Sequence, residues 1–171
     1  MSDTSPLLSA TGLTKQFPGT LALDNVSMQL HKQEILAVMG ENGAGKSTFM
    51  KILAGIYQAD AGQVFLNNKA VTLNSIKQAQ GHGIALIHQE LNLAENLDVA
   101  ANLFLGQEVH TFGWIDTTAM YTKAEAVLAK LNIELNPRTL VSDLSIGQQQ
   151  LIEIAKAIAL DAQILIMDEP T

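Results

Sequence analysis

Residues 35 to 48 read Ile35-Leu36-Ala37-Val38-Met39-Gly40-Glu41-Asn42-Gly43-Ala44-Gly45-Lys46-Ser47-Thr48. The run Ile35–Met39 is wholly apolar and predicts a short strand buried on both faces. A helical pattern starts near Gly45, with Phe49, Met50 and Leu53 on its apolar side and Gly55 as its stop. The glycines between strand and helix let the backbone curl so that successive N–H groups point at phosphate oxygens. The helix N-terminus adds a partial positive charge there. Gly40 to Ser47 fits G-x-x-x-x-G-K-[ST]. In that pattern Lys46 reaches the β- and γ-phosphates of a nucleotide and the Ser47 hydroxyl ligates Mg²⁺. Thr48 adds a contact on the α-phosphate side.

A second apolar run, Ile164–Met167, ends in Asp168-Glu169. Acidic residues often end strands at a surface. Downstream of a phosphate loop the pair acquires a chemistry. Asp168 would orient Mg²⁺ through the metal's water shell, and Glu169 would polarise the attacking water as a general base. Between the two motifs, Leu144-Ser145-Ile146-Gly147-Gln148 opens a helix that runs to Leu160. This offers another helix N-terminus to phosphate, through Ser145 and the Gly147 N–H. A serine N-cap before an amphipathic helix is its ordinary structural role.

Leu7–Leu13 reads as a strand, and Leu23, Val26, Met28 and Leu30 roughly alternate as a half-buried one, with Pro18-Gly19 at the turn between them. Val64–Leu66 and Ala70–Leu73 read as a strand pair turning at Asn67-Asn68, and Ile84–Ile87 as a buried strand. From Glu90 to Asp143 the periodicity becomes helical. Met120, Ala124, Val127, Leu128 and Leu131 form an amphipathic face closed by Pro137. In the helix from Ser145, Leu151, Ile154, Ala155 and Ile158 are expected inward. The pattern is an α/β core with an inserted helical subdomain.

The chain has 171 residues, of which 47% are hydrophobic and 16% charged, enough apolar material for a core and too much for a disordered chain. Lys plus Arg is 10 and Asp plus Glu is 17, giving a net charge of −7. Arg138 is the sole arginine. A non-specific nucleic-acid binder needs a basic footprint that this composition lacks. Cysteine is absent, which excludes disulfides, thiolate metal sites and a cysteine nucleophile. Residues 1 to 8 lack the basic start of a signal peptide. The apolar runs are strand-sized, far below the roughly 20 residues that span a bilayer.

Leu144 to Gln148 resembles the LSGGQ signature of ATP-binding-cassette (ABC) ATPases, with Ile146 in the third position. The resemblance covers nearly the whole chain. It implies a P-loop NTPase cassette, with a parallel sheet and an antiparallel β-subdomain as the α/β core (1–88 and 160–171). The Q-loop, helical subdomain and signature helix would occupy 89–159, and the C-terminal strands would be missing. It also implies one ATP held by Phe17, Gly40, Glu41, Asn42, Gly43, Ala44, Gly45, Lys46, Ser47 and Thr48. Phe17 takes the place of an aromatic that stacks on adenine. Gln89 matches the Q-loop glutamine, which touches Mg²⁺ and the attacking water. With Lys46 and Glu169 it completes the implied catalytic set, and Ser47, Gln89 and Asp168 the Mg²⁺ set. Ser145, Gly147 and Gln148 would face a second ATP across a head-to-tail pair of cassettes.

The segments Ile87–Leu93, Asn102–Gly106 and Leu144–Gln150 resemble the monosaccharide-importer branch, which handles ribose, xylose, galactose and autoinducer-2. Many cassettes carry arginines just after the signature. Gln149, Leu151 and Lys156 stand at those places here, as in that branch. The resemblance implies a bacterial ATPase on the cytoplasmic face of the inner membrane. Its partners would be transmembrane permease subunits, a periplasmic sugar-binding protein and a second cassette in tandem, with no nucleic acid. The D-loop and switch histidine are absent, since all four histidines precede Asp168. The expectation is therefore an N-terminal fragment, inactive alone. The competing readings are a translation or DNA-repair cassette ATPase, another P-loop enzyme such as a small-molecule kinase or GTPase, and an inert truncated product. Only about a hundred residues separate phosphate loop and signature, with no heptads, which speaks against the chromosome type with its long coiled coils. Asn68-Lys69-Ala70-Val71 fails the guanine motif at its last position.

Overall fold

The computed structural model describes residues 5–87, 91–111 and 113–167, the Thr111 side chain excepted. The chain forms two compact units, Met1–Ile84 and Ala85–Thr171. The first unit is built on an antiparallel sheet of four strands in the order β2-β1-β3-β4. These are β1 (Leu8–Phe17), β2 (Thr20–Leu30), β3 (Ala61–Leu66) and β4 (Lys69–Val71). The expected turns are both present. Asn67 and Asn68 have φ of 46° and 62°, the double left-handed step of a tight hairpin whose twist matches its strands. β4 stops at Val71 rather than Leu73, and Leu73 is buried beyond the strand. Leu8, Ala10, Leu13, Leu23, Val64 and Leu66 are buried. Helix α1 (Lys46–Leu53) buries Phe49, Ile52 and Leu53. A short helix α2 (Ile76–Gly81), not anticipated from the pattern, is capped by the Ser75 side chain.

One expectation fails. Ile35–Met39 belongs to none of the three sheets among the described residues. It stands in water, with Ile35 99% and Met39 90% exposed. An apolar run has the composition of a central strand, but a strand also needs ladder partners for its N–H and C=O groups. The described residues supply none here. A sheet interior is a property of the neighbours as much as of the segment.

In the second unit, α3 (Val99–Leu103), α4 (Thr117–Lys130) and α5 (Ile146–Ala159) pack on one another. Val99, Leu103, Met120, Ala124, Leu128, Val141, Ile152 and Ala155 form their shared core. Each helix has an N-cap that accepts a backbone N–H: Asp98, Asp116 and Ser145. The α4 face is as expected. On α5 Ala155 is buried as expected and Ile154 and Ile158 are half-buried, whereas Leu151 is 41% exposed and Ile152 and Ala157 are buried instead. Several apolar residues on that helix made both stripes plausible, and packing against α3 and α4 selects one. β5 (Ile84–Ile87) pairs with β8 (Ile164–Met167). A small hairpin of β6 (His110–Thr111) and β7 (Trp114–Ile115) interrupts the otherwise helical region.

Asn102 lies in this core with no exposed surface. Its Oδ1 accepts from Ala94 N at 2.8 Å, and its Nδ2 donates to the carbonyls of Ala94 (3.0 Å), Leu97 (3.3 Å) and Asp98 (3.0 Å). One side chain thus knits the turn leading into α3: it gives Ala94 N its acceptor and adds a second donor to carbonyls that also accept from the N–H groups of Leu97, Val141 and Asn102. Asn102→Leu is expected to destabilise the protein by about 2 kcal/mol, because it takes the acceptor from Ala94 N and removes the side-chain donations that tie this turn together, while the three carbonyls keep the N–H groups of Leu97, Val141 and Asn102. Urea unfolding measures this. A change below about 0.5 kcal/mol would be that of an ordinary surface substitution and would contradict the bonding described.

Candidate nucleotide site

The loop from Gly40 to Gly45 closes on the first residue of α1. Ala44 N donates to Glu41 O at 3.1 Å, and Gly43 and Gly45 have φ of 83° and 87°. Gly45 is required twice over. Its φ is left-handed, and a Cβ there would lie 2.2 Å from the Ala22 carbonyl oxygen of β2. The Lys46 ammonium turns back into the loop and donates to Gly40 O at 2.8 Å and Glu41 O at 3.0 Å. Gly45 provides no side-chain cap, and no acidic residue lies in the first turn of α1. The first intrahelical bond at this end is Phe49 N to Gly45 O, 2.9 Å. The first turn of a helix directs its N–H groups to acceptors beyond the i−4 ladder. A cation, outward N–H groups and the positive helix end converge on one place.

Phe17 ends β1 and is half-buried. Tyr57 meets it edge-on, with ring centroids 5.4 Å apart and planes at 72°. The Lys15 ammonium lies 5.5 Å from the Phe17 ring centroid. Asp60 holds that ammonium at 2.8 Å and accepts from Gln16 N at 2.7 Å. The Lys15 hydrogen bond, followed by that from the Gln16 backbone, keeps the Asp60 carboxyl below its ordinary value. Tyr57 N donates to Lys51 O, which ties this aromatic pair to the last turn of α1. Tyr57, Lys15 and Asp60 were not legible as site residues. None stands in a recognisable pattern, and β1 and the segment after α1 become neighbours only through the sheet.

On the second unit, Ser145 and Gln148 form a capping box at the start of α5. Gln148 Oε1 accepts from Ser145 N at 2.9 Å, and Ser145 Oγ accepts from Gln148 N at 3.4 Å. Ser145 thus fills the ordinary role of a cap, and Gln148 is its partner. Gly147 differs from Gly45. It is exposed, and a Cβ there would meet no atom within 4 Å. Nothing in this unit requires a glycine at 147. Gly147→Ala is expected to leave the melting temperature unchanged or slightly raised. It should lower ATP turnover of the complete protein roughly a hundredfold, if the bare backbone is there for close approach of a phosphate. Unchanged turnover would remove Gly147 from the site.

The structure brings Phe17 into one unit with residues 40 to 48, and sets Ser145, Gly147 and Gln148 together in the other. Gln89, Asp168 and Glu169 lie outside the described residues. No group of three or more His, Cys, Asp or Glu able to hold a metal occurs among the described residues.

A glycine loop folded round a lysine at an uncapped helix N-terminus defines a phosphate-binding NTPase loop. The family model for ABC transporters matches residues 23–171, and the chain belongs to that family. The ribose import ATP-binding protein RbsA of Caldanaerobacter subterraneus is 47% identical over 97% of this chain. The xylose import ATP-binding protein XylG of Geobacillus kaustophilus is 47% identical over 98%. In each case the chain spans 34% of the relative's length. A nucleotide-free ATP-binding cassette from an ABC transporter superposes with a TM-score of 0.82 at 26% identity, over 98% of this chain and 70% of that one. The ADP conformation of the cassette MJ1267 gives 0.82 at 27%, with the same coverage. The fold is that of an ATP-binding cassette. No helix among the described residues is long and apolar enough to cross a membrane.

Proposed function

We propose that the chain is the ATP-binding part of a subunit that energises import of a monosaccharide across the bacterial inner membrane. The observation that carries nucleotide binding is the Lys46 ammonium inside the loop at the uncapped start of α1. Phosphates entering there would take over the donors of Lys46 and the N–H groups of the first turn. Phe17 would stack on the adenine, its tilt set by Tyr57. Loop residues Gly40, Glu41, Asn42, Gly43, Ala44 and Gly45, with Thr48, would line the phosphates.

The donor set suits Mg²⁺, which prefers one or two oxygen ligands plus phosphates and water. Ser47, Gln89 and Asp168 would hold it, and it would neutralise charge on the γ-phosphate. Glu169 would take a proton from the attacking water. Ser145 and Gly147 would meet the nucleotide of a second cassette, which makes hydrolysis depend on closure of the pair. Permease subunits and a periplasmic sugar-binding protein complete the system, and the subunit sits on the cytoplasmic face. The names of the relatives support the sugar. The acidic composition supports the absence of nucleic acid.

The test reconstitutes the complete protein with its membrane partners in vesicles, with labelled ribose or xylose outside. Uptake that needs ATP is expected. ATP hydrolysis without uptake of any pentose or hexose, together with copurifying ribosomes, would instead establish the translation-type reading.

A further inference from the structure

The start of α5 is held by one contact that its role as a cap does not need. The Gln149 side-chain amide donates twice, to Val141 O at 3.2 Å and to Leu144 O at 3.1 Å. Both carbonyls belong to the turn that precedes Ser145. Val141 is fully buried and Leu144 nearly so, so this turn is rooted in the helical core. The same turn is tied on its other side, where Val141 N donates to Leu97 O at 3.1 Å and Leu140 bridges Asp98. The capping box links Ser145 only to Gln148, within α5. Among the described residues, Gln149 is the side chain that fastens the first turn of α5 to the rooted segment before it.

We propose that Gln149 is a positioning residue for ATP turnover: its amide fixes the backbone entering Ser145, and so aims Ser145 and the Gly147 N–H at the phosphate they serve. This rests on the reading that Ser145 and Gly147 face nucleotide. The residue must donate, since both partners are carbonyl oxygens. Glutamate has the same shape but only acceptors when ionised, so Gln149→Glu turns two attractions into repulsions. Methionine has similar length and no donor. Arginine keeps donors on a longer planar fork.

The experiment measures ATP binding and steady-state hydrolysis of the complete protein with its membrane partners. Gln149→Glu and Gln149→Met are each expected to lower kcat ten- to a hundredfold. ATP affinity should stay within twofold of the parent, because the residues of this chain that bind its own ATP lie at the phosphate loop. Gln149→Arg is expected to recover turnover to within threefold. If Gln149→Glu does not fold, Gln149→Met and Gln149→Arg carry the comparison. Parental turnover in the donor-free variants overturns the proposal. So does a Gln149→Arg protein as slow as they are, or a loss of ATP affinity that parallels the loss of rate. Gly147→Val runs alongside. Should it hydrolyse ATP normally, the assignment of Ser145 and Gly147 to nucleotide has failed. Should it be inactive while the donor-free Gln149 variants are normal, only the role of Gln149 has failed.

Discussion

Lys46→Ala is expected to weaken ATP binding by about a hundredfold. A hydrogen bond from a charged donor contributes about 1.5–3 kcal/mol, and a lysine spanning two phosphates makes more than one. A loss of about 3 kcal/mol corresponds to roughly two decades in Kd. The fold should survive. Among the described residues the Lys46 ammonium bonds only loop carbonyls, and α1 is anchored by the buried Phe49, Ile52 and Leu53. Titration with a fluorescent ATP analogue, beside a thermal melt, separates the two effects. A melt unchanged with Kd a hundredfold higher is the expected pair. Unchanged affinity would place the phosphates away from this loop. Lys46→Arg is not a neutral control, because a planar fork does not fit a socket shaped by two carbonyls and a tight glycine turn.

Glu169→Gln should do the reverse: preserve binding and stop turnover. The amide matches the carboxylate in shape but cannot accept the proton of an attacking water. Loss of a general base lowers rates by about 10² to 10⁴. ATP affinity should hold or rise, since one negative charge near the γ-phosphate is gone. Single-turnover hydrolysis and equilibrium binding on the same preparation of the complete protein decide it. Normal hydrolysis by Glu169→Gln would remove the residue from the role proposed. The pair of variants is diagnostic because one removes affinity and the other rate. A protein that merely misfolds loses both.

The phosphate loop was legible because its demands are local. Glycines, lysine and helix follow one another along the chain, and each residue type answers one geometric need. The hairpins were legible for the same reason, at Pro18-Gly19 and Asn67-Asn68. The support of the site was not. Tyr57 reaches Phe17, and Asp60 reaches Lys15, across a sheet whose register sequence alone does not fix. Asn102 was noticed as part of a family-like segment, but its four hydrogen bonds, the reason for an asparagine there, needed the fold. Leu151 lies outward and Ile152 inward because a helix rich in apolar residues offers two stripes, and only its neighbours choose. Ile35–Met39 shows the opposite case. Its composition describes a sheet interior that the described residues do not assemble.

That segment has a consequence during synthesis. Ile35–Met39 leaves the ribosome early and remains uncovered by the described residues. A five-residue, β-prone strip without charge or proline is open to any passing strand. Holdase chaperones favour such strips, and inclusion bodies grow from them. A chain that leaves the strip uncovered should therefore be sticky in expression, even though the four-stranded sheet and the helical core are each well packed. Replacing Met39 with lysine is expected to raise the soluble fraction on expression.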